Sequence, residues 1–316
     1  MSRRRTGAGL LLCVLGAAGR AWCAAAVPIG SAGEFQRIPL SVRQQGGGGA
    51  YAEGGVMAST ENPALMFLQT RTIQLEATEQ LMFGGSQSVW GLGGSWVGVP
   101  ENGENFGGAL MVSGLSLGSI RGVDISGEAT GEVVDPNGYA LGCLGGCRWR
   151  NVSFALGSHV AYEPYGPSDS SGSPYSGVLR FGTMAELGDM TVGAALAAGL
   201  ASGPGGLAVG GTLSPPVLPA LTIGGEWNVP WTKGVPSFGG GGVAWRVLGA
   251  LRLRSGLSWE GSGSLGFRAG LSVSRGEWGL DYAMRLPFGA SSASSGVTQM
   301  IGMTWAFGRT RIAWED

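Results

Sequence analysis

From Arg71 onward the apolar residues of this chain recur at every second position, and that period decides what the chain can fold into. Leu265, Phe267, Ala269, Leu271 and Val273 alternate with Ser264, Gly266, Arg268, Gly270, Ser272 and Ser274. Trp278, Leu280, Tyr282, Met284 and Leu286 then oppose Glu277, Gly279, Asp281, Ala283 and Arg285. The same holds for Leu251, Leu253, Leu257 and Trp259 against Arg252, Arg254, Gly256, Ser258 and Glu260. It holds again for Leu221, Ile223, Trp227 and Val229 against Thr222, Gly224, Glu226 and Asn228, and for Val152, Phe154, Leu156, Val160 and Tyr162 against Asn151, Ser153, Gly157 and His159. A period of two puts successive side chains on opposite faces of a β-strand, so each segment has one apolar and one polar or small face.

A water-soluble sandwich would alternate in the same way, so the period alone does not say which face is inward. Three observations do. The polar face is built of Gly and Ser with isolated charges, which suits a packed lumen better than a solvated surface. Aromatic residues gather near segment ends, at Trp149, Tyr162, Trp227, Trp231, Trp259 and Trp278, where interfacial girdles of a membrane barrel lie. The third is the N-terminus. Arg3, Arg4 and Arg5 precede an apolar stretch from Ala8 to Ala18, and small residues from Cys23 to Ala26 supply a cleavage region, the pattern of an export signal. That stretch is too short to span ~30 Å of hydrocarbon.

Composition agrees. Gly contributes 62 of 316 residues and charged residues only 13%, while the hydrophobic fraction of 44% with 11 Trp is too apolar for disorder. Past residue 26 no run of ~20 apolar residues is present, so helical spans are excluded and strands must meet the lipid. Removal of residues 1–26 takes four Arg and no acid from 20 basic and 21 acidic residues, leaving 16 basic and an acidic balance. No nucleic-acid partner is expected of such a chain.

Turn chemistry divides the remainder into strands at 71–83, 87–99, 105–120, 137–147, 151–164, 175–187, 190–200, 206–213, 219–229, 238–247, 250–260, 264–274, 277–286 and 297–308. The fold expected is therefore all-β, a 14-stranded antiparallel transmembrane barrel over 71–308, an even number as bacterial single-chain barrels require. It follows a signal peptide (1–26) and an irregular N-terminal hatch (27–70), and precedes a tail (309–316). Short connections at Arg148–Arg150, Gly188-Asp189, Leu248-Gly249 and Arg275-Gly276 are expected in the periplasm. Longer ones, at 121–136, 165–174, 230–237 and 287–296, are expected outside. Pro215, Pro216 and Pro219 crowd the eighth connection, where proline cannot donate to a ladder.

The non-alternating segment carries two local signals. Gly46, Gly47, Gly48 and Gly49 suit a backbone packed closely against another, and Asn62-Pro63 suits a fixed turn ahead of the first strand. The stretch GGGGAYAEGGVMASTENPALMFLQT resembles the N-terminal signature of the PorV/PorQ family, within the superfamily of the fatty-acid transporter FadL. Gly48, Gly49, Ala50, Tyr51, Asn62, Pro63 and Ala64 carry that resemblance, and Leu65 stands where the family has Gly. The ending LPFGASSASSGVTQMIGMTWAFG is similar too. The resemblance implies a 14-stranded barrel with an N-terminal hatch in the bacterial outer membrane. It also implies one of two roles: passing or binding hydrophobic or amphipathic molecules, or binding secreted proteins as an accessory of type IX secretion.

Candidate lumen residues are His159, Arg180, Glu186, Glu226, Arg252, Arg254, Arg268, Asp281 and Arg285. Their mixed signs suit either a self-satisfying network or an anchor for the head group of an amphiphile, for which the Arg fork is well shaped. His159, the single histidine, would be the base of any hydrolytic triad, yet no second member can be named, so no enzyme is expected. Gly261-Ser262-Gly263-Ser264-Leu265-Gly266 spells a dinucleotide fingerprint, but strand patterns flank it where a helix must follow. Cys143 and Cys147 read as small hydrophobes that do not bridge in an extended strand, and neither a metal nor a cofactor is expected. The aromatic segment Trp227 to Phe238, with Trp231 and Pro236, reads equally as a capture loop or as girdle.

Overall fold

In hydrocarbon no water is available to satisfy a sheet edge, so an alternating chain must close its sheet on itself. It does so here. A computed structural model describes residues 38–47, 54–69, 71–82, 87–98, 104–116, 120–123, 129–134, 137–163, 175–201, 205–231, 237–260, 265–288 and 297–310. The first strands are β1 (Arg71–Met82), β2 (Gln87–Val97) and β3 (Glu104–Ser116), and then, after a hairpin of β4 (Ile120–Val123) and β5 (Ala129–Val134), β6 (Asn137–Trp149). β7 (Val152–Tyr162), β8 (Tyr175–Leu187), β9 (Met190–Ala201), β10 (Gly206–Leu213) and β11 (Leu221–Pro230) continue the wall. β12 (Phe238–Leu248), β13 (Leu251–Glu260), β14 (Leu265–Arg275), β15 (Trp278–Phe288) and β16 (Thr298–Thr310) complete it. Every strand except β4 and β5 belongs to one closed antiparallel barrel, in which β16 returns to pair with β1 from Arg71↔Thr310 to Leu81↔Gln299.

The expected fourteen strands are thus present, with most ends shifted by a residue or two; the fourth runs on to Trp149, so the turn expected at Arg148–Arg150 is Arg150-Asn151 and Arg148 lies in the wall. The third ends at Ser116 and not at residue 120, because Ile120 and Arg121 pair locally with Val134 and Val133 in the separate β4–β5 hairpin. The ninth begins at Leu221, since Pro219 has no N–H to give. The last continues to Thr310.

Exposure settles the inward face. Leu110, Leu141 and Phe106 are 66%, 64% and 65% exposed on the outside, whereas Glu76, Gln74 and Asp281 are 4%, 4% and 2% exposed on the inside. This inverts a soluble protein. Outward aromatics form two belts. At one end lie Trp96, Phe106, Trp149, Trp245 and Trp278, with Trp278 stacked on Trp305 at 5.3 Å. At the other lie Tyr139, Trp259, Phe288 and the Tyr162–Tyr175 pair, 5.2 Å apart. Cys143 and Cys147 are free, and Cys143 lies exposed on this outer face. The first belt lies at the end where strands join by tight turns, with positive φ at Arg150 (54°), Gly188 (65°) and Gly276 (62°). We call it the turn end, and the opposite one the loop end.

The lumen is filled from within. A short helix, α1 (Val42–Gly47), packs on β12 to β16, and a 3-10 turn at Pro63–Leu68 packs on β2, β3 and β6 to β8. The hatch is therefore not irregular throughout, as the missing alternation suggested. Asn62 caps the second turn by accepting from Ala64 N at 3.0 Å, and Pro63 follows at the first position, where its absent N–H costs nothing. Val56, Met57, Ala58, Ala64, Leu65, Met66 and Phe67 make a core at 0–1% exposure.

A lipid-facing cation should be costly and a lumen-facing one mild. Leu271→Arg should lower barrel stability by ~2–4 kcal/mol, while Thr212→Arg on the inner face should cost far less. Urea unfolding in lipid vesicles measures both. Equal losses would mean that both faces are buried against protein.

Candidate functional site

The inner face carries its charges in separate groups, each tied to a different part of the hatch. Nearest the turn end, Arg148 forks onto Glu186, Nη1 to Oε1 at 2.6 Å and Nη2 to Oε2 at 3.1 Å. Arg148 Nε also donates to the carbonyl of Arg150 in the adjoining turn. Glu186 is thereby a rim brace and not part of a deep lumen site.

A second group holds α1. Arg43 donates from Nε to Asp281 Oδ2 at 2.9 Å and from Nη2 to Thr304 Oγ1 at 2.9 Å. Asp281 accepts in turn from Ser272, which accepts from Arg254. The buried carboxylate thus lies between two cations and a hydroxyl, the setting that makes a buried charge tolerable. Arg252 sits on the same inward face, paired in register with Ser272. The helix can approach this wall because of glycine. A Cβ on Gly46 would stand 3.0 Å from Gly270 Cα, and a Cβ on Gly242 would strike the carbonyl oxygen of Gly47. Gly48, Gly49, Ala50 and Tyr51 lie outside the described residues. Glu76 holds the next segment, accepting from Met57 N at 3.1 Å.

The third group lines a cavity of about 150 Å3 between the hatch and the wall. Its floor is Ile38–Leu40, Thr60 and Glu61 of the hatch; its polar side is His159, Arg180, Glu226 and Arg268. Gly205, Pro230 and Phe238 place its upper part at the loop end. Four of the nine candidate lumen residues meet here, and Arg285 stands opposite Arg268 in register. Arg268 Nη1 lies 3.9 Å from Glu226 Oε1.

His159 has a defined role. Its Nδ1 is 3.2 Å from Arg180 Nη1, and its Nε2 is 3.1 Å from Met111 Sδ. A guanidinium can only donate, so Nδ1 accepts and the ring proton sits on Nε2, aimed at sulfur. Both ring nitrogens are engaged, neither by a serine. His159 orients Arg180. Glu61, on the hatch, has its carboxyl pushed up to about 8, first by desolvation and then by the nearby Glu226 carboxylate, with Arg268 and Arg180 drawing it partly back.

Arg43, Glu61, Glu76 and Arg148 are missing from the candidates read off the sequence. Glu76 and Arg148 had a usable signal, since both fall on the polar phase of alternating strands. Arg43 and Glu61 had none, because their segment has no period and their partners are remote in sequence.

No family model and no curated protein matches the sequence. Solved structures do match in fold. A TodX deltaS2S3 mutant monoaromatic hydrocarbon channel, 12% identical, gives a TM-score of 0.59 over 84% of this chain and 99% of that one. The toluene transporter TodX of Pseudomonas putida, also 12% identical, gives 0.56 over 89% and 98%. A FadL homologue of Pseudomonas aeruginosa, 13% identical, gives 0.57 over 85% and 99%. This chain is built on the barrel fold of those proteins.

Removing the Arg43 side chain should free α1 while leaving the wall intact. Arg43→Met is expected to weaken the local fold by about 1.5–3 kcal/mol for each of its two hydrogen bonds, less the share screened by solvent. Amide exchange should quicken in residues 42–47 and hardly change in β1–β3.

Proposed function

We infer that the protein is an outer-membrane barrel that takes small hydrophobic or amphipathic molecules into the cavity above its hatch. The observation that carries this reading is the cavity itself. It lies at the loop end of the lumen, between the hatch and the wall, with largely apolar walls and a carboxyl at its floor. Pockets of this kind, apolar with a few convergent polar groups, suit small-molecule capture. Its size is near that of a cavity, ~150 Å3, known to accept a single aromatic ring. The proteins of like fold include ones described as hydrocarbon channels and a toluene transporter, which supports the class of cargo. The charges add a polar end: two guanidinium groups and two carboxyls can hold a hydroxyl or carboxyl group of an amphiphile. The candidate residues for this role are His159, Arg180, Glu226 and Arg268, joined by Glu61. Tight turns would then face the periplasm, long loops the outside, and a signal peptide would be removed near residue 26. The accessory role in type IX secretion rests on the N-terminal sequence resemblance alone, and no contact in the fold favours it.

The test is a hatch deletion. Without residues 27–60 the barrel keeps every strand and the Pro63–Leu68 turn but loses α1 and the cavity floor at Thr60 and Ile38–Leu40. The variant should insert and should let small solutes through faster in a liposome swelling assay. An inserted barrel with unchanged permeability overturns the idea of a hatch-gated passage.

Glu61 makes binding depend on pH. The folded chain keeps its proton to about pH 8, well above the ordinary carboxyl value. Between those two values the folded state binds more protons than the unfolded one, so Glu61 lowers stability progressively as pH rises from about 4.5 to about 8. In the same way an apolar ligand should find a neutral floor at pH 6.5 and an ionised, hydrated one at pH 9. Affinity for a neutral fluorescent aromatic probe should therefore fall across this range. Glu61→Gln should flatten the profile. A profile equally steep in that variant would assign the titration to another group.

A further inference from the structure

At the turn end, most strand pairs join through two residues: Arg150-Asn151, Gly188-Asp189, Gly249-Ala250 and Gly276-Glu277. The β10–β11 connection differs. It runs Ser214-Pro215-Pro216-Val217-Leu218-Pro219-Ala220 and has no charge, nor does any residue from Met190 to Gly225. Val217 and Leu218 are 84% and 57% exposed, and Val217 is the most exposed large apolar side chain among the described residues.

The segment is built to hold that posture. Pro215, Pro216 and Pro219 each fix φ. Leu218 N donates to Pro215 O at 2.9 Å and Leu221 N to Leu218 O at 2.8 Å, closing two successive turns. Both ends are tied to their neighbours, Ser214 N to Asp189 O and Arg246 N to Ala220 O, each at 2.8 Å. Presenting two apolar side chains therefore costs little further ordering.

The girdle supplies the second observation. At the turn end β2, β3, β6, β12 and β15 each place an aromatic residue outward: Trp96, Phe106, Trp149, Trp245 and Trp278. β8, β9, β10 and β11 end there on Leu187, Met190, Leu213 and Leu221, with no aromatic in their last turnward residues. β1, β13 and β14 also lack one, but the widest gap in the belt, four adjacent strands, coincides with the proline-rich connection. The outward faces below it are apolar without interruption, through Val209, Leu213 and Ile223 at 37–44% exposure, to Val217 and Leu218.

We propose that Pro215–Pro219 is an interfacial anchor, with Val217 and Leu218 inserted into the lipid leaflet at the turn end of the barrel, in place of the aromatic belt that β8–β11 lack. The surface it binds is a lipid headgroup–acyl boundary. Continuity with the lipid-facing wall and the absence of charge both favour lipid over a periplasmic protein, for which polar rim residues would be expected. The proposal rests on the membrane reading above.

The test places an environment-sensitive fluorophore on single cysteines of the full chain, with all four native cysteines, Cys13, Cys23, Cys143 and Cys147, replaced by Ala. The labelled variants are Val217→Cys, Leu218→Cys, Glu277→Cys as an aqueous reference and Leu271→Cys as a lipid reference. They are reconstituted in phosphatidylcholine nanodiscs, where an aqueous quencher reaches both ends. Labels at 217 and 218 should emit to the blue of the one at 277, lose intensity in lipid brominated near the headgroup, and resist iodide. Emission like that at 277, with ready iodide quenching at both positions, overturns the anchor and leaves a protein partner as the occupant. An aqueous signal at 271 overturns the membrane reading, and the anchor with it.

Discussion

The backbone hydrogen bonds that close β16 onto β1 are the contacts on which everything else depends. A strand in hydrocarbon cannot leave N–H and C=O groups on an edge. The ladder from Arg71↔Thr310 to Leu81↔Gln299 removes the last edge. Closure also creates a lumen, which a sheet of this length must then fill or leave open. Gly and Ala are frequent in β9, β10 and β12, which leaves space inside the wall. The N-terminal segment fills the space, and from that follow the buried charges, the glycine contacts and the cavity.

Filling a barrel with its own chain makes demands that an ordinary core does not. The wall presents polar side chains inward, so a purely apolar plug would bury them unsatisfied, at a cost of about 1–3 kcal/mol each. The hatch answers in two ways. Around Pro63–Leu68 it meets β2, β3 and β6–β8 with an apolar core, and Asn62 Nδ2 reaches the carbonyls of Thr183 at 3.2 Å and Ala194 at 3.4 Å. Around α1 it supplies a cation, Arg43, to a wall whose Asp281 needs one. Glycine sets the distance in both places.

What the sequence disclosed and what it withheld follow from the range of the interactions. Strand faces depend on neighbours two residues away, so the outward set of Leu271, Tyr282 and Leu257 and the inward set of Arg254, Arg268 and Asp281 were both readable. The strand count was readable too, since turn residues stand at fixed positions. The hatch was not. Its residues answer to strands more than 100 positions distant, as Arg43 does to Asp281 and Asn62 to Thr183. The nine lumen candidates were found as a set, but their division into a rim brace, a helix anchor and a cavity wall required register between strands. Glu186 looks no different from Glu226 in sequence; only position along the barrel separates a brace from a cavity residue.

The two halves of the hatch are held by contacts of unequal kind, and this bears on how a passage could open. Freeing Pro63–Leu68 would expose Leu65, Met66 and Phe67, each fully buried. Exposing such side chains costs roughly 1.5–3 kcal/mol apiece, and lumen water offers no substitute contact. Freeing α1 exchanges Arg43–Asp281 and Arg43–Thr304 for bonds to water, at about 1.5–3 kcal/mol net for each, less where Arg43 already meets solvent, and exposes one large apolar side chain, Val42, from its small cluster with Ala283 and Met300. Apolar burial therefore dominates in one half of the hatch, while the other combines polar contacts with the burial of Val42 alone among its large apolar side chains. Glu61 follows a short 3-10 turn at Ala58–Thr60 and immediately precedes Asn62, lining the cavity. On the proposed reading, a ligand settling there would touch the hatch where its more firmly held half begins, and α1 would be the half to yield.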